Sequence, residues 1–294
     1  MSGVRPSHRP PFARTRAHGT SVGRMAFTIL PAGTAIGQEG VTVSPWPLVQ
    51  ASGETALGII ADIRKADPAV TPIIVGPAQE ALALFQSHGP AEESPAEIIA
   101  GAAAIDCGAW LRQRETEHIE NMALAAATKP APAAGLWAKL RGRTTASAAT
   151  ARSSVFPRGP WPHDVEANTD VLSLRDVLTR KPYTDLYIAL LPASEPWHAG
   201  AHTKFGGWNE CPEPEVQVAF ARRWFERHGA VPVATSGDVL EFTVARPISD
   251  REAALEMAME QYLFCEDIVE QGTGTVDVLA AYLLNATVWY FWWD

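Results

Sequence analysis

Thr287-Val288-Trp289-Tyr290-Phe291-Trp292-Trp293-Asp294 closes the chain with five aromatic side chains in succession, at a position where chains usually fray and carry polar residues. In a strand, successive side chains point to opposite faces, so Trp289, Phe291 and Trp293 face one way and Tyr290 and Trp292 the other. Both faces then need cover. This predicts an interior strand sandwiched between helices or loops, each buried aromatic contributing about 2–3 kcal/mol. The run Val278–Trp293 is too short for a membrane span and is interrupted by Asn285 and Thr287, so a helix followed by a strand is expected and no membrane is implied.

Working back from the tail, Thr275 is placed to cap a helix that runs to Leu284, after the turn Gly272-Thr273-Gly274. Ser249-Asp250-Arg251-Glu252 reads as a capping box opening another helix, with Leu255, Ala258, Tyr262 and Cys265 on its inner face. "AVPVATSGDVLEFTVARP" reads as two strands joined at Ser236-Gly237-Asp238, with the glycine taking a positive φ. Pro214 opens a helix to His228, Glu213 and Glu215 at its positive end, Arg227 and His228 at its negative end, and Gly229 to stop it. "DLYIALLPA" is a strand ending near Pro192.

The first third reads as an N-terminal α/β portion over residues 25–122. A helix through "ETALGIIADIRKAD" opens at Ser52 or Gly53, with Leu57, Ile60 and Ile63 as its buried stripe and Pro68 barring continuation. "TPIIVGP" is a short apolar strand buried on both faces, as in a parallel sheet covered by helices. Helices are expected at 78–88 and 95–120. Residues 123–160 are rich in Ala, Pro, Ser, Thr and Arg and read as a flexible linker or insertion, with Lys139, Arg141, Arg143, Arg152 and Arg158 lacking a nearby acid. Residues 1–24 read as a disordered basic arm, and Met25 before "AFTIL" leaves either Met1 or Met25 as the start. The C-terminal domain spans 161–294, giving an α+β fold, a mixed sheet with helices packed on it.

Composition narrows the function classes. Hydrophobic residues make up 47% of the 294 and charged residues 19%, a balance that supports a sizeable core. A net charge of -9 opposes general nucleic-acid binding, which needs a clustered basic surface. Cys107, Cys211 and Cys265 are far apart and form no CxxC, so neither a disulfide framework nor a structural zinc site is suggested, and a reducing cytoplasm fits best. No cofactor motif is recognised.

The stretches "FGGWNECPEP", "GDVLEFTVARP", "EQYLFCEDIVEQGTGT" and "WYFWWD" resemble, in order and spacing, the bacterial family of domain of unknown function 4253, over about residues 183–294. The resemblance implies a compact C-terminal α+β domain and no established activity, cofactor or catalytic set.

Candidate chemistry gathers in few places. Gly206 and Gly207 free the backbone for a tight approach, Trp208 offers a flat apolar face and Asn209 a donor and an acceptor, which together suit a small-molecule or peptide site. Cys211, just before a helix, is a candidate nucleophile, with His198 or His202 as base. The same two histidines, four residues apart, are weak candidates for a metal with Cys211. The Gly272 turn offers backbone amides to an anion, with Lys204 assisting. Glu266, Asp267, Glu270 and Gln271 form an acidic cluster at a helix end, where they oppose its dipole and could rim a site for a basic partner. The leading expectation is a non-enzymatic module binding a protein or small ligand, with Gly206, Gly207, Trp208, Asn209, Asp267, Gln271 and Trp292 as contacts. The alternative is a thiol-dependent hydrolase or transferase using Cys211.

Overall fold

The computed structural model describes residues 27–36, 42–87, 93–128 and 155–294. The basic arm and most of the Ala/Pro-rich stretch lie outside the described residues. Helices α1 (Ala56–Ala66), α2 (Ala78–Ser87), α3 (Pro95–Ala103) and α4 (Cys107–Thr128) belong to the first half. In the second half come α5 (Ala199–Thr203), α6 (Pro214–His228), α7 (Arg251–Phe264) and α8 (Val276–Leu283). A π-helical turn, Ile268–Thr273, separates α7 from α8.

A seven-stranded mixed sheet takes strands from both halves. The strands are β1 (Ile29–Leu30), β4 (Leu48–Ala51), β5 (Thr71–Gly76), β6 (Leu186–Leu191), β7 (Ala230–Thr235), β8 (Val239–Val244) and β9 (Val288–Trp292). Their order is β1-β4-β6-β5-β7-β8-β9, while β2 (Ala35–Ile36) and β3 (Thr42–Val43) pair separately. "TPIIVGP" is indeed a fully buried strand, but it is antiparallel to β6 and only meets β7 in parallel, at Ile74–Ala234. Its burial therefore comes from a central position in a mixed sheet.

The alternation predicted for the aromatic tail holds, and the expected interior position does not. Trp289, Phe291 and Trp293 are at most 1% exposed. On that face Phe291 stacks on Trp224 of α6 at 5.1 Å and meets Phe242 and Phe264 edge-on. However, among the described residues β9 is an edge strand that pairs only with β8. Its second face, bearing Tyr290 and Trp292, is half-buried. The cover there comes from a strap, residues 166–174, irregular but for a single 3-10 turn at Leu172–Leu174, rather than from a packed helix layer. The strap lies close because buried Glu241 of β8, directly across from Tyr290, accepts hydrogen bonds from Leu172 N (2.7 Å) and Ser173 N (2.9 Å). Farther along, the Asn168 carbonyl accepts from Thr287 N and Val288 N, so part of the free edge is already satisfied.

Local signals decided most boundaries, with instructive exceptions. α6 begins at Pro214 and stops at Gly229, which takes φ 61°. Thr275 caps α8 by accepting from Val278 N at 3.2 Å. The cap of α7 is Asp250, not the Ser249–Glu252 pair, because the Asp250 carboxylate reaches Ala253 N at 2.9 Å. In α1 the buried positions are Ala56, Ile59, Ile60 and Ile63, and Leu57 is 41% exposed. The helix predicted over 95–120 breaks after Ala103, where Asp106 accepts from Gly108 N and Ala109 N and starts α4 afresh. The β7–β8 turn is closed by the Ser236 hydroxyl accepting from Val239 N, and Gly237 has no left-handed φ. α4 runs beyond the boundary at 123, and Arg158 is not free of acids: it grips Asp277 through two bonds of 2.7 and 2.9 Å.

Candidate functional site

The loop Phe205–Pro212 has the backbone its glycines suggested. Gly206 and Gly207 take φ 118° and 78°, and a side chain at Gly206 would run into the Pro212 carbonyl. Asn209 also lies in the left-handed region, at φ 47°, where asparagine is among the better tolerated residues. Buried Phe205 packs against Trp293 at 5.5 Å and Trp208 at 6.1 Å. Asn209 Nδ2 donates to the Asp294 carbonyl (2.7 Å), Asp294 N donates to Asp267 Oδ2 (3.0 Å), and Gln271 Nε2 donates to Asp267 Oδ1 (2.9 Å). Three predicted contacts, Asn209, Asp267 and Gln271, thus form one clasp on the aromatic tail. The rest of the acidic cluster is also engaged in the fold: Glu270 accepts from the Tyr262 hydroxyl at 2.8 Å, and Glu266 lies 3.4 Å from His118 and 3.7 Å from Arg114.

The thiol set has features opposite to those a nucleophile needs. Cys211 is 4% exposed, and burial pushes its pKa well above that of an ordinary thiol, reinforced by neighbouring Cys265. Its sulfur accepts from Gln217 Nε2 at 3.3 Å. The expected lowering by the nearby helix start is outweighed by desolvation. His198 and His202 lie at the two ends of α5's single turn, and burial lowers the pKa of each. Among the described residues, no group of three or more His, Cys, Asp or Glu side chains is arranged to hold a metal ion.

The cavity with the chemistry of a site lies at the free edge of β9. It encloses about 460 Å³ between β9, α8, the π-helical turn and the strap. Leu279 and Leu283 of α8 and Ile268 of the turn give it an apolar floor, while Tyr282, Tyr290 and Trp292 contribute aromatic residues that are not fully buried. Gln261 of α7 also lines it. This amide is 0% exposed, and neither Nε2 nor Oε1 has a hydrogen-bond partner among the described residues. A buried amide left unpaired on both atoms costs on the order of 1–3 kcal/mol for each group, so its retention facing a cavity is informative. At the rim stand Glu166 and Asp170, both exposed.

Of the predicted contacts, Trp292 reaches this cavity, joined by Gly272 of the turn. Trp208 lines a separate space of about 410 Å³ with Gly237, Asp238, Trp293 and Asp294. The two spaces have no lining residue in common, so the glycine-tryptophan-asparagine loop and the Gly272 turn do not share one cavity. Gln261 and the strap were missed by sequence reasoning. A glutamine on a helix's inner face was the available signal for the first, whereas nothing in "EANTDVLSL" announces a strap.

Residues 187–294 match the family described as Domain of unknown function (DUF4253), so the C-terminal part of the chain carries that domain. No curated protein and no solved structure matches the chain. Gln261, Tyr282, Tyr290 and Trp292 fall inside the matched residues, and the strap with Glu166 and Asp170 falls outside them.

Proposed function

We propose that this protein is a non-enzymatic binding module whose site is the cavity at the β9 edge, and that its ligand is a small molecule with an apolar body and a hydrogen-bonding group. The observation that carries this reading is Gln261, fully buried in the wall of an apolar cavity, with neither its donor nor its acceptor partnered among the described residues. Ligand sites combine predominantly apolar walls with a small number of placed polar groups, and about 460 Å³ falls within the range they occupy. The Asn209 clasp and the bonds from Glu241 to the strap support it, since they fix two walls of the cavity without entering it. The π-helical turn adds a third wall, a type of distortion often retained at functional sites.

A cytoplasmic location belongs to the same proposal, supported by three free cysteines, two of them buried. The high thiol pKa of Cys211 speaks against the thiol-dependent alternative.

A fragment screen followed by amide and indole NMR tests the binding reading. Bound neutral aromatic fragments are expected to shift the Gln261 side-chain amide and the Trp292 indole together. Ala167→Trp, which adds bulk from the strap into the cavity, is expected to abolish those shifts while the dispersion of core resonances is kept. Fragments that bind without moving Gln261, or bind Ala167→Trp equally well, would overturn it.

A further inference from the structure

The cavity's lining is one-sided in charge. Glu166 and Asp170 stand at the rim, and no Lys, Arg or His is among the described residues that line it. Neither carboxylate has a cationic partner among the described residues, in contrast to Asp277 and Glu260, whose oxygens are held by arginines. Tyr282, Tyr290 and Trp292 bring three aromatic residues to the same space, Tyr282 being 41% exposed. Aromatic faces attract cations through their quadrupole, by about 0.5–1 kcal/mol at exposed sites and more where water is excluded. An anionic ligand would meet two carboxylates and, among the described residues of the lining, no compensating charge.

We infer that the ligand of this cavity is an organic cation, a substituted ammonium on an apolar body, whose hydroxyl or carbonyl group pairs with Gln261. This inference rests on the reading of the cavity as a ligand site and adds the sign of the ligand's charge. The aromatic residues receive the ammonium, the two rim carboxylates neutralise it, and the amide of Gln261 orients the other end. A chain carrying a net charge of -9 also favours the approach of a cation. The strap supplies both carboxylates and lies outside the matched residues, so the charge preference is set by this chain's own segment rather than by the matched domain.

Two probes of the same shape separate charge from fit: (3-hydroxyphenyl)trimethylammonium and its uncharged carbon counterpart, 3-tert-butylphenol. Titrated calorimetrically into the full chain at low salt, the ammonium is expected to bind about tenfold tighter than the phenol. In the double variant Glu166→Gln/Asp170→Asn the advantage is expected to fall to about threefold or less, with phenol affinity unchanged and the melting temperature held. Raising the salt to about 0.5 M should narrow the gap in the same direction, because exposed charges are screened. Equal affinity for the two probes overturns the cation inference and leaves the cavity a binding site for neutral molecules. A cation preference that survives the double variant overturns the role of the strap carboxylates. Failure of both probes to bind an intact fold overturns the inference, whereas phenol binding that is indifferent to Ala167→Trp overturns the cavity reading beneath it.

Discussion

The two faces of β9 are built from the same kind of residue and do opposite things. On one face Trp289, Phe291 and Trp293 are sealed into a cluster with Phe205, Trp224, Phe242 and Phe264. On the other, Tyr290 and Trp292 are only half-buried and border a cavity that the strap, α8 and the π-helical turn enclose without filling. The difference teaches that aromatic content by itself does not distinguish core from site. What distinguishes them is whether the side chains opposite fill the space: Trp224 of α6 and Phe264 of α7 close on Phe291, whereas the helix residues opposite Tyr290 and Trp292 leave a cavity.

The comparison breaks most sharply at Phe291. Phe291→Ala removes a ring at 0% exposure from a stacked and edge-on cluster, and is expected to cost about 4 kcal/mol in denaturant unfolding. A loss below about 2 kcal/mol would mean that the inner face is looser than described. Next comes Glu260, which holds the same cluster from above by accepting from Arg223, Arg227 and the Trp224 indole. Burial alone would raise the Glu260 carboxyl, but the bond and charge of Arg223, the indole and Arg227 outweigh it and hold it below the usual glutamate range.

Because that pKa is depressed, the stabilisation from Glu260 is complete above the unfolded-state value of about 4.3 and is lost as pH falls through the folded-state value. Glu260→Gln should therefore cost about 3 kcal/mol at pH 7 and flatten the acid limb of the stability profile. An unchanged limb would assign acid sensitivity elsewhere.

On the open face the expected signs change. Gln261→Leu replaces an unpaired amide by an apolar group of similar size, so the unliganded protein should gain about 1 kcal/mol while probe affinity falls. A residue retained at a cost to stability is expected where function needs it. If the variant were instead destabilised, Gln261 would have a structural partner and the site reading would weaken. The smallest expected effect is at Trp292. Trp292→Ala should lower stability by less than about 1 kcal/mol and yet weaken the ammonium probe at least fivefold, whereas the effect expected at Phe291 is on stability.

Much of this fold can be read from local chemistry. Pro214 and Gly229 bound α6, Thr275 opens α8, and the period-two alternation of the tail separates Phe291 from Trp292 before any coordinates are known. The tail's position in the sheet could not be read that way. Whether a strand is central or at an edge depends on which other strands pair with it, and among the described residues β8 alone does so here. The same reasoning explains the candidate site. Asn209 and Asp267 were legible as polar residues in unusual surroundings, but their role as a clasp depends on the Asp294 backbone, 85 and 27 residues away along the chain. Gln261 drew no notice because a glutamine on a helix is ordinary until a cavity is found beside it. For Cys211 the helix start was visible in sequence and the burial was not, and burial decides its pKa.

The place of β5 in the sheet has a consequence for anyone who trims this chain. It is contributed by Thr71–Gly76 and lies between β6 and β7, both of which come from beyond residue 185. Cutting out the stretch that matches the family, residues 187–294, would remove β4 as well as β5, leaving β6 without a paired strand on either side and β7 with one newly exposed edge, three sticky edges where there had been a continuous ladder. The C-terminal domain is a unit of sequence that borrows its central strand from upstream.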